Sequence, residues 1–184
     1  AADDHFIYVA SGPQCLGIAN RTGKVDRRFS IPDKNFGDSH EWGYVARLDD
    51  LLIGSAVKKG GIRRDYGHDG IKQTYWDNNP PVCSDLLFAT ESTNGKPRWI
   101  HRPTGGGVIV NSSIAVKDGR IHFVESKASS ESGQVQYDQI LHQEGASLVT
   151  LELATGKPIH RVSLAKQKSV QNLYVASTQG MVVI

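Results

Sequence analysis

The sequence contains little cysteine and no long apolar run. Its two cysteines, Cys15 and Cys83, are far apart and form no C-x-x-C pair, which excludes the usual cysteine-rich metal motifs. They are compatible with one disulfide or with two buried free thiols, and we favour the thiols. No apolar stretch approaches the ~18–20 residues of a membrane-spanning helix, so membrane insertion is not expected.

An excess of charge of one sign is missing too. The 184 residues carry 21 basic and 19 acidic side chains, and the formal net charge is +2. Because these charges are scattered along the chain, nucleic acid is not an expected partner. The motifs G-x-S-x-G, the Walker phosphate loop and H-E-x-x-H are absent. The histidines of the predicted strands, His122 and His160, are therefore expected to be structural.

Glycine, by contrast, is frequent. The 19 glycines make up about a tenth of the chain, against a usual ~7%, and they separate short runs of strand-forming residues. One stretch, residues 89–99, has the pattern of a tight hairpin in which Gly95 tolerates a positive φ. The same pattern recurs around Gly23 and Gly156. The sequence therefore predicts an all-β protein.

Three local expectations follow from the pattern of apolar residues. Residues 5–11 are apolar at nearly every position and predict a strand covered on both faces. Residues 108–116 are predicted to form a single strand. The polar stretch 127–145 contains one apolar-spaced patch that indicates a helical turn, namely Val135, Ile140 and Leu141.

The spacing of the three turns indicates a repeat. The turn glycines are 72 and 61 residues apart, and these distances fall to 46 and 42 when two insertions, 58–83 and 127–145, are left out. A period in the forties with four short strands is typical of a β-propeller blade. We therefore predict a partial β-propeller of about three to four four-stranded antiparallel blades within one domain, 1–184. The blade units are 5–31, 42–102, 108–164 and 173–184.

The best-preserved turn resembles a known repeat. Ala89, Glu91, Gly95, Lys96 and Trp99 are similar to the tryptophan-docking repeat of quinoprotein-like β-propellers, and the chain resembles the PQQ-binding-like repeat proteins of bacteria. This resemblance implies that the Gly-Lys turn closes each outer hairpin and that the tryptophan docks between neighbouring blades. It also implies a periplasmic or other extracytoplasmic location. The positions equivalent to that tryptophan hold Arg27 and His160 in the other two copies, so docking there must be weaker or achieved otherwise.

The same resemblance raises the question of a quinone cofactor. Quinoprotein dehydrogenases use a catalytic Asp, a calcium ion held by oxygen ligands, an aromatic residue stacked on the quinone and often two adjacent cysteines. This sequence has no adjacent cysteine pair, and no calcium-ligand set maps onto it. We therefore expect no cofactor and a non-catalytic binding or scaffold module. The alternative is part of a PQQ-dependent oxidoreductase, or another enzyme with its site at the axial opening of the propeller.

The insertion 58–83 is the chemically most varied stretch. Aromatic side chains beside Arg and Asp suit carbohydrate or peptide recognition, and loops on a rigid scaffold often carry binding function. A blander interpretation is that the loop packs its aromatic residues on its own blade. The pair His68-Asp69 alone is a weak metal motif. The candidate ligand-binding residues are Arg63, Tyr66, His68, Tyr75 and Trp76.

Both ends of the chain fall inside a predicted blade. We therefore expect that the chain is a fragment of a longer protein, and that its partners are the remaining blades or a second copy, because unpaired strand edges recruit other strands.

Overall fold

The computed structural model describes residues 1–61, 81–129, 135–168, 170, 173–178 and 181–183 of the chain. Within these ranges the fold is built from antiparallel sheets. The first sheet has the order β1 (Phe6–Ser11), β2 (Gln14–Ala19), β3 (Val25–Ser30). The second has the order β4 (His40–Leu48), β5 (Leu51–Lys58), β7 (Leu86–Glu91), β8 (Pro97–His101).

The third sheet is larger. It contains β13 (Pro158–Ser163), β12 (Ala146–Glu152), β11 (Arg120–Ser126), β9 (Val108–Val110) and β6 (Cys83–Ser84) in that order, and β10 (Ala115–Lys117) also pairs with β11. Two short strands, β14 (Ala176–Thr178) and β15 (Met181–Val183), form a fourth sheet. Because β6 pairs with β9, the third sheet includes a strand that precedes β7 of the second sheet in the chain.

The three predicted hairpin turns share one geometry. Gly23, Gly95 and Gly156 have φ values of +66°, +75° and +69°, a region that favours glycine. Each glycine amide donates to the carbonyl four residues earlier, at 2.8–2.9 Å. A register shift precedes each turn, between Gly17 and Ile18 in the first sheet and at the matching places in the others. The end of the molecule that carries these turns is here called the turn end.

The opposite end, where β5 and β11 finish, is here called the insertion end. The segment that follows β5 returns through β6, which pairs with β9. Strand β9 in turn pairs with the last residues of β11, where Ser126 lies opposite Val108. The interval between β11 and β12 is residues 127–145. Both long connections therefore leave the sheets at the same end.

The apolar core forms three clusters, two of which hold the neighbouring sheets together. The first lies between the first and second sheets and includes Tyr8, Cys15, Phe29, Leu52 and Phe88. The second lies between the second and third sheets and includes Ile53, Leu87, Trp99, Phe123 and Val149. The third covers the other face of the third sheet with residues from the 135–141 stretch and Leu173. Each fully buried large side chain contributes roughly 1.5–3 kcal/mol to folding, so the clusters are the main cohesion between the sheets.

Two of the local expectations are wrong. Strand β1 is buried on one face only, since Tyr8 is 2% exposed while Ile7 and Val9 are 46% and 40% exposed. The physical reason is that, among the described residues, the first sheet packs against a neighbouring sheet through a single face.

The predicted strand 108–116 is broken by a turn of 3₁₀ helix, Asn111–Ser113. There the Ser113 hydroxyl donates to the Val110 carbonyl at 2.6 Å, a local bond that competes with the sheet.

Two other expectations are confirmed. A short π-helix, Gln139–Gln143, occupies the predicted helical patch, and Val135, Ile140 and Leu141 are buried. Cys15 and Cys83 are free and buried. Burial raises the pKa of Cys15 to about 11. Burial, together with the nearby Asp85 charge, raises the pKa of Cys83 to about 12. Both thiols are therefore protonated at neutral pH and behave as small apolar side chains.

Candidate functional site

The residues that the sequence predicted to bind a ligand lie outside the described part of the chain. Arg63, Tyr66, His68, Tyr75 and Trp76 fall between residues 61 and 81. Their role stays a prediction. The described residues nevertheless form two arrangements of interest, one at the turn end and one at the insertion end.

At the turn end, Trp99 joins the second sheet to the third. Its indole N–H donates to the Leu153 carbonyl at 2.7 Å, and the side chain is 7% exposed. The indole lies against the turn glycine, because a Cβ built on Gly156 would come within 2.6 Å of the ring. The glycine at this turn is therefore required twice, for its positive φ and for the close approach of the ring.

Arg27 makes the corresponding contact between the first and second sheets. Its Nη1 donates to the Ser92 carbonyl at 2.8 Å, and Ser92 precedes Gly95 by three residues, as Leu153 precedes Gly156. The guanidinium also lies 4.0 Å from the centre of the Phe6 ring, a distance typical of a cation–π contact. Phe29 lies 3.4 Å from where a Gly95 Cβ would stand.

At the insertion end, a cleft of about 410 Å³ opens beside the third sheet. Three polar residues form one row across its strands, since Glu125 of β11 lies opposite Ser147 of β12, which lies opposite Ser163 of β13. Arg161 stands two residues before Ser163, on the same face of the sheet. The strands also contribute Ser126 and Ala146, and the other lining residues belong to the connections around the row: Thr104, Lys127, Glu144, Gly145, Leu164 and Lys166.

Glu125 is the most constrained carboxylate of the cleft. Its side chain is 3% exposed and accepts hydrogen bonds from Arg161 Nη1 at 2.6 Å and from the Thr104 amide at 3.2 Å, while His101 Nε2 lies 2.8 Å from its other oxygen. Burial alone would raise the pKa of Glu125. The hydrogen bonds from His101, Arg161 and the Thr104 amide, together with the Arg161 charge, outweigh burial and lower that pKa to about 2. Glu125 is therefore ionised at neutral pH, and Arg161 compensates its charge.

A second hydrogen-bonded chain lies near the insertion end. Ser39 Oγ lies 2.8 Å from His40 Nδ1, and His40 Nε2 lies 3.1 Å from Asp85 Oδ2. The imidazole also packs on Phe36, with ring centres 4.2 Å apart. Both ring nitrogens are thus occupied, and these hydrogen bonds connect the linker before β4 to the segment before β7.

The described residues contain no cluster of the usual metal-ligating side chains. No three His, Cys, Asp or Glu side chains in this part of the chain come together as metal ligands would. The most buried carboxylate, Glu125, has both oxygens occupied by His101, Arg161 and Thr104. Glu125 is therefore already engaged by protein donors rather than free to join the six to eight oxygen ligands that calcium requires. No helix in the described part of the chain has the length and apolar character needed to cross a membrane.

Sequence reasoning missed the residues of the cleft. Glu125 lies in the run R-I-H-F-V-E-S, which is buried on both faces, and one of these faces carries Ile121, Phe123 and Glu125. The sequence signal for the cleft was a carboxylate at the third position of this otherwise apolar face. Because a charge is buried only when it is paired, such a carboxylate indicates a partner of opposite charge nearby. Its partners, His101 and Arg161, are distant in sequence and carried no such signal.

The comparisons with known proteins bear on the fold. No family model matches the sequence, and no curated protein matches it. The structure is similar to a europium-containing methanol dehydrogenase, with a TM-score of 0.53 and 9% identity over 88% of this chain and 23% of that one. It is also similar to the quinohemoprotein alcohol dehydrogenase of Comamonas testosteroni, with a TM-score of 0.53 and 14% identity over 89% of this chain and 20% of that one.

These likenesses establish the fold and nothing finer. The chain has the all-β fold of a partial β-propeller, as the sequence predicted. It spans about a fifth of the length of these two solved structures.

Proposed function

We propose that the chain is a non-catalytic binding or scaffold module of a quinoprotein-like β-propeller and that it holds its ligand at the insertion end. The observation that carries the proposal is the polar cleft beside the third sheet, in which a row of Glu125, Ser147 and Ser163 stands next to Arg161. The cleft opens where both long connections leave the sheets. Concave sites with a few fixed polar groups on a rigid scaffold are the usual form of a small-ligand site.

In this proposal, the turn end holds the propeller together. Trp99 acts as the docking tryptophan of the quinoprotein-like repeat through its bond to the Leu153 carbonyl, and Arg27 takes the same role between the first and second sheets. The outer faces of the terminal sheets expose large apolar side chains, among them Ile7, Val9 and Met181. We propose that further blades, or a second copy of the chain, cover these faces.

A binding experiment tests the location of the ligand. The full chain and a variant in which residues 62–80 are replaced by a short Gly-Ser linker are compared on carbohydrate and peptide arrays. A matched control is Lys96→Gln, which changes an exposed side chain at the turn end. We expect the intact chain and the control to bind the same ligands and the linker variant to bind them weakly. Equal binding by all three proteins contradicts a role of residues 62–80 and leaves the cleft, which the replacement does not touch, as the site. Binding by none contradicts a ligand site at the insertion end.

The second candidate is part of a PQQ-dependent oxidoreductase, and the structural likeness to methanol and alcohol dehydrogenases favours it. The test incubates the full chain with pyrroloquinoline quinone and Ca²⁺, and measures quinone absorbance after gel filtration together with dye-linked oxidation of alcohols and sugars. Retained absorbance with dye reduction supports the oxidoreductase. A protein that emerges without quinone and reduces no dye supports the binding module.

A further inference from the structure

The cleft at the insertion end has features that restrict the chemistry of its ligand. Its walls carry three cationic side chains, Lys127, Arg161 and Lys166, and two acidic ones, Glu125 and Glu144. Arg161 already compensates the charge of Glu125. The remaining balance at the mouth of the cleft is therefore positive.

The cations are available to a ligand. Arg161 Nη1 donates to Glu125, but the Arg161 side chain is still 44% exposed. The guanidinium therefore has further N–H groups that can donate to a second acceptor. Lys166 Nζ donates to the Gln143 carbonyl at 3.1 Å, a bond that fixes the ammonium at the wall without neutralising it. Within the described residues, neither Lys127 nor Lys166 lies in ion-pair contact with a carboxylate. A concave site with cations on its rim raises the local concentration of anions.

Two hydroxyl groups stand beside these cations. Ser147 and Ser163 are direct cross-strand partners in the row that Glu125 begins, and side chains in that relation lie about 5 Å apart at Cβ. In the described structure neither hydroxyl bonds to a protein group, whereas Ser126 donates to the Gly145 carbonyl at 2.7 Å. Each free hydroxyl can donate and accept, so the two can bond to two hydroxyl groups of one ligand.

The described lining of the cleft offers no surface on which neutral sugars stack. None of these described residues is aromatic, and among them Leu164 and Ala146 supply the apolar contact. Recognition here must therefore come from charge and hydrogen bonds. We propose that the cleft binds a small polyhydroxylated carboxylate of the uronate or aldonate class. The carboxylate lies between Lys127, Lys166 and the free edge of Arg161, and the hydroxyl groups bond to Ser147 and Ser163.

This inference rests on the proposed function, which it extends from a binding end to a ligand class. Isothermal titration calorimetry of the full chain measures binding of galacturonate and gluconate, with galactose as the neutral analogue. We expect both acids to bind at least about tenfold more tightly than galactose, because hydrogen bonds to a charged acceptor are roughly twice as strong as neutral ones. Raising the salt concentration weakens binding of the acids and leaves that of galactose unchanged.

Variants test the named residues. Lys127→Gln and Lys166→Gln each remove one rim cation and are expected to weaken galacturonate binding about fivefold, by loss of one charge-assisted contact. Ser163→Ala removes one of the free hydroxyls and should weaken both acids and galactose. Lys157→Gln is the matched control, because it removes an exposed lysine at the turn end. It should leave binding unchanged.

The outcomes separate this inference from the proposed function. Failure of both acids to bind, or equal affinity for galactose and galacturonate, overturns the ligand class. So does unchanged binding in both Lys→Gln variants. If arrays then show a neutral ligand whose binding depends on the insertion end, the proposed binding module is supported and the proposed acidic ligand class is wrong. If no ligand depends on that end, both proposals fall.

Discussion

The three turn glycines offer a direct measurement of the contact that joins the second and third sheets. Gly23, Gly95 and Gly156 share nearly the same positive φ, so an alanine at each suffers a similar backbone strain, about 1–2 kcal/mol. What differs is the space around the new Cβ. Nothing lies within 4 Å at Gly23, Phe29 lies at 3.4 Å at Gly95, and the Trp99 ring lies at 2.6 Å at Gly156. Gly23→Ala is therefore an internal control for strain without a clash.

We expect Gly23→Ala and Gly95→Ala to destabilise the protein by similar amounts. Gly156→Ala should cost about 1–3 kcal/mol more, the usual penalty for forcing an extra methyl group into a packed site. Urea unfolding followed by far-UV circular dichroism gives the three free energies from midpoints and slopes. The extra cost should disappear when Gly156→Ala is made in a Trp99→Gly background, since the ring and the Trp99 Cβ, which lies 2.8 Å from the new methyl group, are then both absent.

Trp99→Ala itself should cost about 3–5 kcal/mol, as removal of a buried aromatic side chain usually does. The reasoning is refuted if all three alanine variants lose the same stability. It is also refuted if the excess at Gly156 persists without Trp99, because the strain would then have another source.

Three further outcomes are expected. Glu125 has a folded-state pKa of about 2, below its ordinary value, so its charge stabilises the fold above pH ~5. This contribution, about 3 kcal/mol, is lost as the pH falls towards 2. Urea midpoints should therefore fall more steeply with acidification in the wild type than in Glu125→Gln, and parallel curves contradict this. A thiol reagent at pH 8 should label neither Cys15 nor Cys83 in the native protein and both in urea, because burial raises both pKa values; rapid native labelling contradicts it. Gly43→Ala should cost about 1–3 kcal/mol in the same urea assay, since its Cβ would lie 2.1 Å from Val57, whereas Gly37→Ala, with no neighbour closer than 3.9 Å, should be nearly neutral; equal costs contradict the packing argument.

Local patterns in the sequence predicted the fold because each hairpin is specified by residues close together in the chain. The turn at Gly95 needs only a glycine in the right place between two strand-forming runs, and the same is true at Gly23 and Gly156. The one-sided burial of β1 was missed because Ile7 and Val9 are apolar like the buried Tyr8, and composition cannot tell which sheet face meets a neighbour. The break at Asn111–Ser113 depends on hydroxyl bonds that no periodicity records.

The cleft was harder to predict because its residues come together only through sheet register. Ser147 and Ser163 become neighbours through the pairing of β12 with β13, and Glu125 joins them through the pairing of β11 with β12. A shift of one residue in either pairing would move a side chain to the opposite face. Arg161 and His101 reach Glu125 from strands of different sheets. Such a cluster requires the tertiary structure, whereas the turns do not.

The contacts at the turn end revise the meaning of the repeat itself. If the repeat required an aromatic side chain at the position of Trp99, two of its three copies would lack it, because they have Arg27 and His160 there. All three side chains, however, carry an N–H donor. In two of them that donor binds the backbone carbonyl three residues before the turn glycine of the next sheet, at 2.7 and 2.8 Å. Because a buried carbonyl without a partner is costly, the position selects a donor long enough to reach it. The indole of Trp99 makes an additional contact by packing on the turn glycine. Arg27 instead makes a cation–π contact with Phe6.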